Sequence, residues 1–511
     1  MSDPTMREIE PFVELGHFEI HAPTVRLLAY KFCLQNYCVA LGRAPRDLPT
    51  PVTVAMLDPA DGELLGKLAI QLQRPVTPVR LNAYEIRKAL DIGYGLAVAE
   101  RHKFNVTLKP VREISFDPGR RVDDVLSDVL GRAITLGASD VHIEAYEDDV
   151  DVRIRIDGML HQIISPISIQ TLPSVISRLK ILSDLDIAEK RSAQDGRVFA
   201  TFTVDGVART VDFRLSIVPG PFGEDAVLRI LDSAKPMIGL EKLGFADETL
   251  AVWRTLIQNP EGMLLVTGPT GSGKTTTLYS ALQELNTDEN KVLTVEDPIE
   301  YLFAKINQKQ IGPRMSFAEY ARSFLRQDPD VMMIGEIRDP ETADIALQAA
   351  MTGHLVLSTL HTNDSVSTIG RLLTLGLPER LIADSLLAVL SQRLMRRVCP
   401  ECVRPIEPKP TDRLHFERLG VEFPLVAGEG CAHCRQTGYS GRIGIYELFV
   451  VDDAIAEQIA AGAALHEVRA AARGKGMRSL YDDAVEKVRR GLTTFDEVTR
   501  RVPHKILTEK R

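Results

Sequence analysis

The stretch that decides the fold runs Met263-Leu264-Leu265-Val266-Thr267-Gly268-Pro269-Thr270-Gly271-Ser272-Gly273-Lys274-Thr275. Its first five residues are apolar or β-branched and predict a short buried strand. The other eight match G-x-x-x-x-G-K-T, in which glycines allow a tight turn whose backbone N–H groups point at one anion. Residues 275–285 suit a helix, whose positive N-terminal end would lie under the same anion. Together they predict a loop that binds the phosphates of a nucleotide.

We assign nucleotide binding to the whole loop, which consists of Gly268, Pro269, Thr270, Gly271, Ser272, Gly273, Lys274 and Thr275. Lys274 would contact the β- and γ-phosphates of ATP, and Thr275 would ligate Mg²⁺. The alternative is a glycine-rich turn that matches by chance. The strand-like residues before the loop and the helix-like residues after it argue against that alternative.

Length and charge limit the classes of protein that fit. At 511 residues the chain is too long for one core and predicts about three or four structural units. Its formal net charge of -9 argues against a nucleic-acid partner, because binding to nucleic-acid phosphates normally needs a basic surface. No basic segment leads into an apolar one at the N-terminus, and no apolar run approaches the ~20 residues of a membrane span. We therefore expect a cytoplasmic protein whose contact with a membrane is peripheral.

Residues 1–105 predict a small α+β module, with an extended stretch at 52–57 and a helix-like stretch at 83–90. They show no recognisable domain that would identify a function. Cys33 and Cys38 fit buried free thiols better than metal ligands, since no other ligands stand at metal spacing.

Residues 106–240 predict an antiparallel sheet with helices on one face. A helix at 122–136 is stopped by Gly137. Apolar and polar residues alternate at 151–156 before the turn-forming pair Asp157-Gly158, and the pattern recurs around 205–206.

Residues 241–395 alternate strand-like and helix-like segments, which predicts a doubly wound, mostly parallel sheet. Strand-like runs at 291–295, 331–334 and 355–360 each end at acidic residues or a histidine. Ligands gather at the carboxyl ends of parallel strands, so we expect these charged ends to converge on the bound phosphates.

A helix at 315–328 carries two arginines. Ser316 and Glu319 form a capping-box pattern at its start. Arg322 and Arg326 are four residues apart and therefore share one face. They would either neutralise a phosphate or form an ordinary solvated stripe.

Two C-x-x-C pairs, Cys399/Cys402 and Cys431/Cys434, predict a four-sulfur Zn²⁺ site. Because four thiolates leave no open position for a substrate, we interpret the site as structural. A redox role for either pair is the alternative. The segment after residue 441 predicts surface helices, over 454–473 and 479–490.

These motifs together resemble one family, the hexameric ATPases of type II secretion and type IV pilus assembly. The resemblance covers residues 106–502. Besides the phosphate loop, the similar stretches are residues 138–144, 153–158, 185–191, 194–197, 296–300, 328–338, 352–364, 476–480 and the two cysteine pairs.

The resemblance implies an aspartate box at 296–300, an atypical Walker B motif ending at 335–336 and a histidine box at 354–361. It implies that Glu300 orients or activates water, that Glu336 acts through Mg²⁺, and that His361 senses the γ-phosphate. Gly335 stands where an ordinary Walker B strand has its aspartate, so Mg²⁺ would rely more on Thr275 and water. The arginines that the resemblance places at a nucleotide, some from a neighbouring subunit, are Arg197, Arg214, Arg322 and Arg326.

The resemblance also implies five regions: an N-terminal docking module (1–105), a PAS-like α+β domain (106–240), a RecA-like ATPase core (241–395), an inserted tetracysteine zinc module (396–440) and C-terminal helices (441–511). A homo-hexamer would hydrolyse ATP with Mg²⁺, change the angle between its second and third regions, and push on an inner-membrane platform protein. A further membrane protein would dock on residues 1–105.

Among the branches of the family, the tetracysteine module and the long N-terminal region favour an assembly or secretion motor, with a slight preference for secretion. A pilus-retraction or conjugation ATPase of the same fold remains an alternative. So does a nucleic-acid translocase, against which the acidic composition argues. A scaffold that binds nucleotide without hydrolysing it would lack acids such as Glu300 and Glu336.

Overall fold

The computed structural model of the protein describes residues 18–29, 32–33, 36–44, 50–81, 85–86, 89–90, 93, 104–107, 121–204, 207–231, 238–312, 315–408 and 425–503. The chain divides into two units. The first comprises residues 1–132, 143–151 and 165–228, and the second comprises residues 133–142, 152–164 and 229–511. The phosphate loop and the whole of its sheet lie in the second unit.

The N-terminal region is a small α+β module, as the sequence predicts. Its elements are α1 (Ala22–Val25), β1 (Cys38–Leu41), β2 (Val52–Met56), α2 (Gly62–Leu72) and β3 (Val76–Arg80). Strand β2 pairs antiparallel with β1 and parallel with β3. Cys33 and Cys38 are free, buried thiols in the core of this module. Part of the predicted helix at 83–90 lies outside the described residues.

The second region forms a seven-stranded sheet with the spatial order β4-β8-β9-β10-β5-β6-β7. Its elements are β4 (Phe104–Thr107), α3 (Val122–Thr135), β5 (Asp140–Ala145), β6 (Val150–Ile156), β7 (Met159–Gln162), α4 (Leu172–Leu182), β8 (Gln194–Val204), β9 (Val207–Gly220) and β10 (Gly223–Leu231). Side chains of β6 alternate strictly between buried and half-buried, as predicted for a sheet with one packed face.

Both predicted hairpins of this sheet are present. Strands β6 and β7 pair antiparallel, and the turn residues Asp157 and Gly158 have φ of 49° and 82°. Two left-handed residues in a two-residue turn match the twist of the flanking strands. In the second hairpin Val204 faces Val207, and the turn residues 205–206 lie outside the described residues. Helix α3 ends just before Gly137, whose φ is 69°.

The sheet of the phosphate loop has the order β13-β12-β14-β15-β11-β16-β19. Its segment contains α5 (Asp247–Ile257), β11 (Gly262–Thr267), α6 (Lys274–Leu285), β12 (Val292–Glu296), β13 (Asn307–Gln310), α7 (Phe317–Phe324), β14 (Val331–Ile334), α8 (Pro340–Met351), β15 (Leu355–Leu360), α9 (Ser367–Thr374), α10 (Glu379–Ser385), β16 (Leu386–Val398) and β19 (Tyr439–Val450). Every neighbouring pair is parallel except β16 and β19. The predicted doubly wound, mostly parallel sheet is confirmed.

Strand β11 is central because both of its faces are buried. Met263 and Leu265 pack on one side with residues of α7 and α8. Leu264 and Val266 pack on the other side with residues of α5 and α6. A strand covered on both faces needs a continuous apolar run, which is why this stretch does not alternate with polar residues. This packing fixes the point at which the phosphate loop leaves the sheet.

The cysteine pairs lie in the connection between β16 and β19, which also contains β17 (Val403–Ile406) paired antiparallel with β18 (Leu425–Gly428). The chain ends in α11 (Asp453–Ala460), α12 (Leu465–Gly474), α13 (Leu480–Arg489) and α14 (Phe495–Arg501). The predicted helix at 454–473 is therefore two helices. Gly462, with φ of 69°, stands in the turn between them.

Candidate active site

The phosphate loop turns on three glycines with positive φ: Gly268 (146°), Gly271 (76°) and Gly273 (89°). Gly273 is the N-cap of α6, so the helix begins at Lys274. A Cβ atom on Gly268 would stand 2.5 Å from the backbone oxygen of Gln392. The loop thus needs glycine both for its backbone angles and for its close approach to β16. Its N–H groups and the positive end of α6 form an anion-binding concavity.

Lys274 folds over this loop. Its ammonium group donates hydrogen bonds to the carbonyl oxygens of Gly268 (2.9 Å) and Pro269 (3.2 Å). Burial lowers the pKa of Lys274 to about 8, the negative charge of Glu336 opposes that shift, and the positive charge of Arg393 adds to it. The lysine therefore sits in a poorly solvated position where an added anion would raise its pKa again. Thr275 follows in the first turn of α6 and is half-buried.

Glu336 and His361 lie beside each other near this lysine. Glu336 is the second residue after β14, and His361 directly follows β15. The two side chains approach to 3.7 Å, and Arg338 forms an ion pair with Glu336. Burial lowers the pKa of His361, the charge of Lys274 lowers it further, and the neighbouring Glu336 opposes this shift. The structure thus gathers three of the sequence-predicted residues at the carboxyl ends of neighbouring strands.

The predicted aspartate box at 296–300 divides into a buried and an exposed part. Glu296 is 3% exposed and accepts hydrogen bonds from Tyr279, Thr294 and Gln308. Glu300 has an exposed side chain, and its backbone N–H donates to the Tyr279 hydroxyl over 3.1 Å. Glu296 therefore anchors the box in the core, while the side chain of Glu300 lies at the surface.

Three of the four predicted arginines, Arg197, Arg322 and Arg326, contact groups other than Lys274, Glu336 and His361. Arg322 pairs with Glu341 at 3.0 Å, and Arg326 donates to the backbone oxygen of Arg322 over 3.1 Å. Both are exposed, and the capping box of α7 is present as predicted. The helix ends at Phe324 rather than at residue 328, so Arg322 lies in α7 and Arg326 lies in the turn that follows it. Arg197 and Arg214 face each other across β8 and β9 and belong to the first unit. Arg197 also lies 3.8 Å from Asp212.

Sequence reasoning missed several residues around the loop, namely Tyr279, Arg338, Gln392 and Arg393. Gln392 and Arg393 are buried in β16, and Arg393 donates to the backbone oxygen of Asn363 over 3.0 Å. The available signal was a polar triplet, residues 391–393, directly after the five apolar residues that begin the strand. The triplet is visible in the sequence, but the sequence does not show which residues these three polar side chains contact.

The four cysteine sulfurs form a compact cluster within 4.8 Å of one another. The Cys399–Cys431 sulfur distance is 3.8 Å, and the Cys402–Cys434 and Cys431–Cys434 distances are 3.7 Å. Four thiolates placed tetrahedrally about 2.3 Å from a zinc ion would stand about 3.8 Å apart. Backbone N–H groups of Cys431 and Gly438 point at the Cys434 sulfur. The donor set and its spacing are compatible with zinc.

The parallel sheet, the phosphate loop at the end of β11 and the acids beside it define a RecA-like P-loop ATPase. Residues 119–500 match the family model described as "Type II/IV secretion system protein". The chain belongs to this family of ATPases.

Two relatives illustrate the membership. The chain is 47% identical over 380 residues to the type II secretion system ATPase E of Vibrio cholerae. The alignment covers 74% of each chain. It is 38% identical over 511 aligned positions to the type IV pilus assembly ATPase PilB of Myxococcus xanthus. That alignment covers 96% of this chain and 88% of the relative. In fold it is similar to the Legionella pneumophila ATPase DotB, with a TM-score of 0.56 at 24% identity over 77% of this chain and 98% of that one.

Residues 10–100 match the MshEN domain model. This corrects the expectation that residues 1–105 contain no recognisable domain. Its strands are only four or five residues long and produce little pattern in a single sequence, which is why this domain did not show. Within the described part of the chain, none of the helices has the length and hydropathy that crossing a membrane requires.

Proposed function

We propose that this chain is the ATP-driven motor for assembly of a type IV pilus or of the related pseudopilus of type II secretion. The observation that carries the proposal is the similarity over nearly the whole chain to a relative named as a pilus assembly ATPase. The relative named for type II secretion matches about three quarters of the chain. The extent of the match therefore favours pilus assembly, and type II secretion is the second candidate.

In the proposed reaction, water attacks the γ-phosphate of ATP in line with the leaving ADP. Lys274 and the N–H groups of the loop hold the β- and γ-phosphates. Glu300, whose side chain is exposed, would orient the water or accept its proton. His361, which approaches Glu336 to 3.7 Å, would sense the γ-phosphate through a hydrogen bond from its imidazole. These groups act by positioning and by electrostatics, which supply most of the catalysis in phosphoryl transfer.

Mg²⁺ fits the donor set of this site. The hydroxyl of Thr275 and the carboxylate of Glu336 are hard oxygen ligands of the kind that this ion prefers. When bound, the ion would neutralise charge that develops on the phosphates. With Gly335 in place of an aspartate, the protein offers few oxygens of its own.

Zinc in the tetracysteine cluster would have a structural role. All four cysteines would act as ligands, and three of them are buried. The paired strands β17 and β18 are only four residues long each, so binding of the metal would supply folding free energy to this segment.

We further propose that six copies form a ring on the cytoplasmic face of the inner membrane. In such a ring Arg197 and Arg214, or Arg322 and Arg326, would reach a nucleotide held by a neighbouring copy. Each turnover would change the angle between the second region and the ATPase core and push on a membrane-embedded platform protein. Residues 1–105 would dock a further membrane protein. No nucleic acid is required.

The proposal can be tested in cells that lack this chain. Loss of surface pili that is restored by the wild-type chain and not by Lys274→Ala or Glu300→Gln would support a pilus motor. Restored secretion of an exported enzyme, with pili unaffected, would identify the second candidate. If neither pili nor secretion responds to loss of the chain, the proposed function is wrong.

A further inference from the structure

We infer that Gln392 is a positioning residue for ATP hydrolysis: it holds the backbone of the phosphate loop in its phosphate-binding conformation from beneath. This rests on the proposed use of the loop as the nucleotide site. Gln392 lies on β16, more than a hundred residues beyond the loop, and no motif of the loop includes it.

The register of the sheet places Gln392 under the loop. Strand β16 runs parallel to β11, and Thr267, the last residue of β11, faces Ser391. Strand β16 continues to Val398, so the residues after Ser391 extend past the point where β11 turns into the loop. The side chain of Gln392 is 1% exposed and therefore lies against the loop rather than solvent.

Both ends of the Gln392 carboxamide are engaged by the loop and its helix. Its Nε2 donates to the backbone oxygen of Ser272 over 2.6 Å, and its Oε1 accepts from the Thr277 hydroxyl over 2.8 Å. A carbonyl oxygen can only accept, so the nitrogen of the carboxamide must face Ser272. The carboxamide therefore bridges the phosphate loop to the second turn of α6.

This bridge sets the direction of a phosphate-binding N–H group. In a trans peptide the C=O and the following N–H point in opposite directions. Because the Ser272 carbonyl is held down toward β16, the N–H of Gly273 is held up toward the concavity of the loop. A Cβ atom on Gly273 would stand 3.0 Å from Gln392 Nε2, so the loop is seated directly on this side chain. Gln392 therefore orders this part of the loop before phosphate binds, so that phosphate binding costs less conformational entropy.

The alternative is that Gln392 is only a satisfied polar group of the core, which would affect folding and not the loop. The test compares Gln392→Met, which keeps the length and loses both hydrogen bonds, with Ser391→Ala as matched control. Ser391 is also fully buried on β16, and its hydroxyl has no hydrogen-bond partner among the described residues. Binding of a fluorescent ADP analogue, KM and kcat are measured at a temperature where circular dichroism shows every variant folded.

We expect Gln392→Met to weaken ADP binding and raise KM for ATP by about tenfold, with a smaller change in kcat, while Ser391→Ala stays within twofold of wild type. Thr277→Val breaks the same bridge from the helix side and should weaken ADP binding in the same direction, which keeps the test decisive if Gln392→Met fails to fold. If Gln392→Met folds and binds ADP within twofold of wild type, the inference is overturned. If Gln392→Met does not fold, the same result for Thr277→Val overturns it. ADP binding by Lys274→Ala separates the hypothesis of a nucleotide site from the hypothesis that Gln392 positions the loop. Unchanged ADP binding by Lys274→Ala would contradict the nucleotide site itself.

Discussion

Lys274 links the pH of the solution to nucleotide binding. Its pKa is about 8 in the free protein because the side chain is poorly solvated, and phosphates beside it would raise that value. The charged form binds phosphate. The lysine's contribution to affinity is therefore complete below pH 8 and is lost as the pH rises through 8, by up to about tenfold per pH unit.

We expect the Kd of an ADP analogue to rise by no more than about twofold from pH 7 to 8 and much more steeply between pH 8 and 9.5. Phosphate groups with a second pKa near 6 stay fully ionised over this range, so the lysine dominates the change. Titrations at half-unit steps check the profile. Lys274→Gln should bind weakly with no such rise, and a flat wild-type profile to pH 9.5 would contradict the assignment.

Tyr279 couples the phosphate-loop helix to the predicted catalytic acid. Its hydroxyl donates to Glu296 and accepts the backbone N–H of Glu300, and both the ring and Glu296 are buried. Burial and the charge of Glu296 hold the pKa of Tyr279 far above its usual range, so it remains a donor at every working pH.

Tyr279→Phe should lower kcat by about 10²-fold with little change in ADP affinity, because a shift of about 1 Å in a positioned group costs that much. Steady-state kinetics and ADP titration give the two quantities separately. Tyr320→Phe, on α7, is the control for removing one hydroxyl. Equal loss of kcat and of ADP affinity would indicate general damage to the helix instead.

At the scale of elements, the cysteine segment should depend on metal. We expect about one zinc per chain in purified protein, as four cysteines at tetrahedral spacing imply. Chelation should expose residues 399–408 and 425–438 to hydrogen exchange and leave β11 and β15 protected, because those strands have their own apolar core. Cys431→Ser should act like chelation, and Cys38→Ser should not change the metal content. A zinc content far below one ion per chain would show that the four cysteines do not form a zinc site.

The sequence predicts elements well where one local pattern dominates. The strand–loop–helix at 262–285, the Asp157-Gly158 turn and the Ser316 cap all rest on neighbouring residues. Gly462 was missed as a break because the alanine-rich residues around it favour a helix. Gln392 and Tyr279 were missed because their partners are distant in the chain, and register between strands does not follow from composition. The roles of Arg322 on α7, of Arg326 just after it and of the arginines on β8 and β9 stay predictions, since a single chain does not test a contact made by its neighbour.

At the scale of the whole molecule, each active site of the proposed ring would be completed by two neighbouring chains, one supplying the phosphate loop and the other an arginine. An arginine that stabilises the γ-phosphate is worth about 10³ to 10⁵ in rate, so its loss nearly abolishes turnover wherever it comes from. Arg197 and Arg214 lie in the other unit from the phosphate loop, which makes them the best residues for a test in trans.

We expect Lys274→Ala and Arg214→Ala chains to be inactive alone and active when co-expressed. In a random ring of equal amounts, about a quarter of the interfaces would join an intact loop to an intact arginine, giving about a quarter of wild-type activity. Phosphate release from the purified mixture measures this. The same experiment with Arg197→Ala, Arg322→Ala and Arg326→Ala sorts the other candidates, and a mixture no better than its parents would place that arginine in the same chain as its loop.

The pairing of Val398 with Tyr439 has an evolutionary consequence. The forty residues between them include both cysteine pairs, yet the chain leaves the sheet and re-enters it at adjacent positions of one antiparallel ladder. A segment with such closely spaced ends can be lengthened, shortened or exchanged without moving any strand. The cysteine segment can therefore differ in length or sequence among relatives while the strands that carry the ATPase site stay in place.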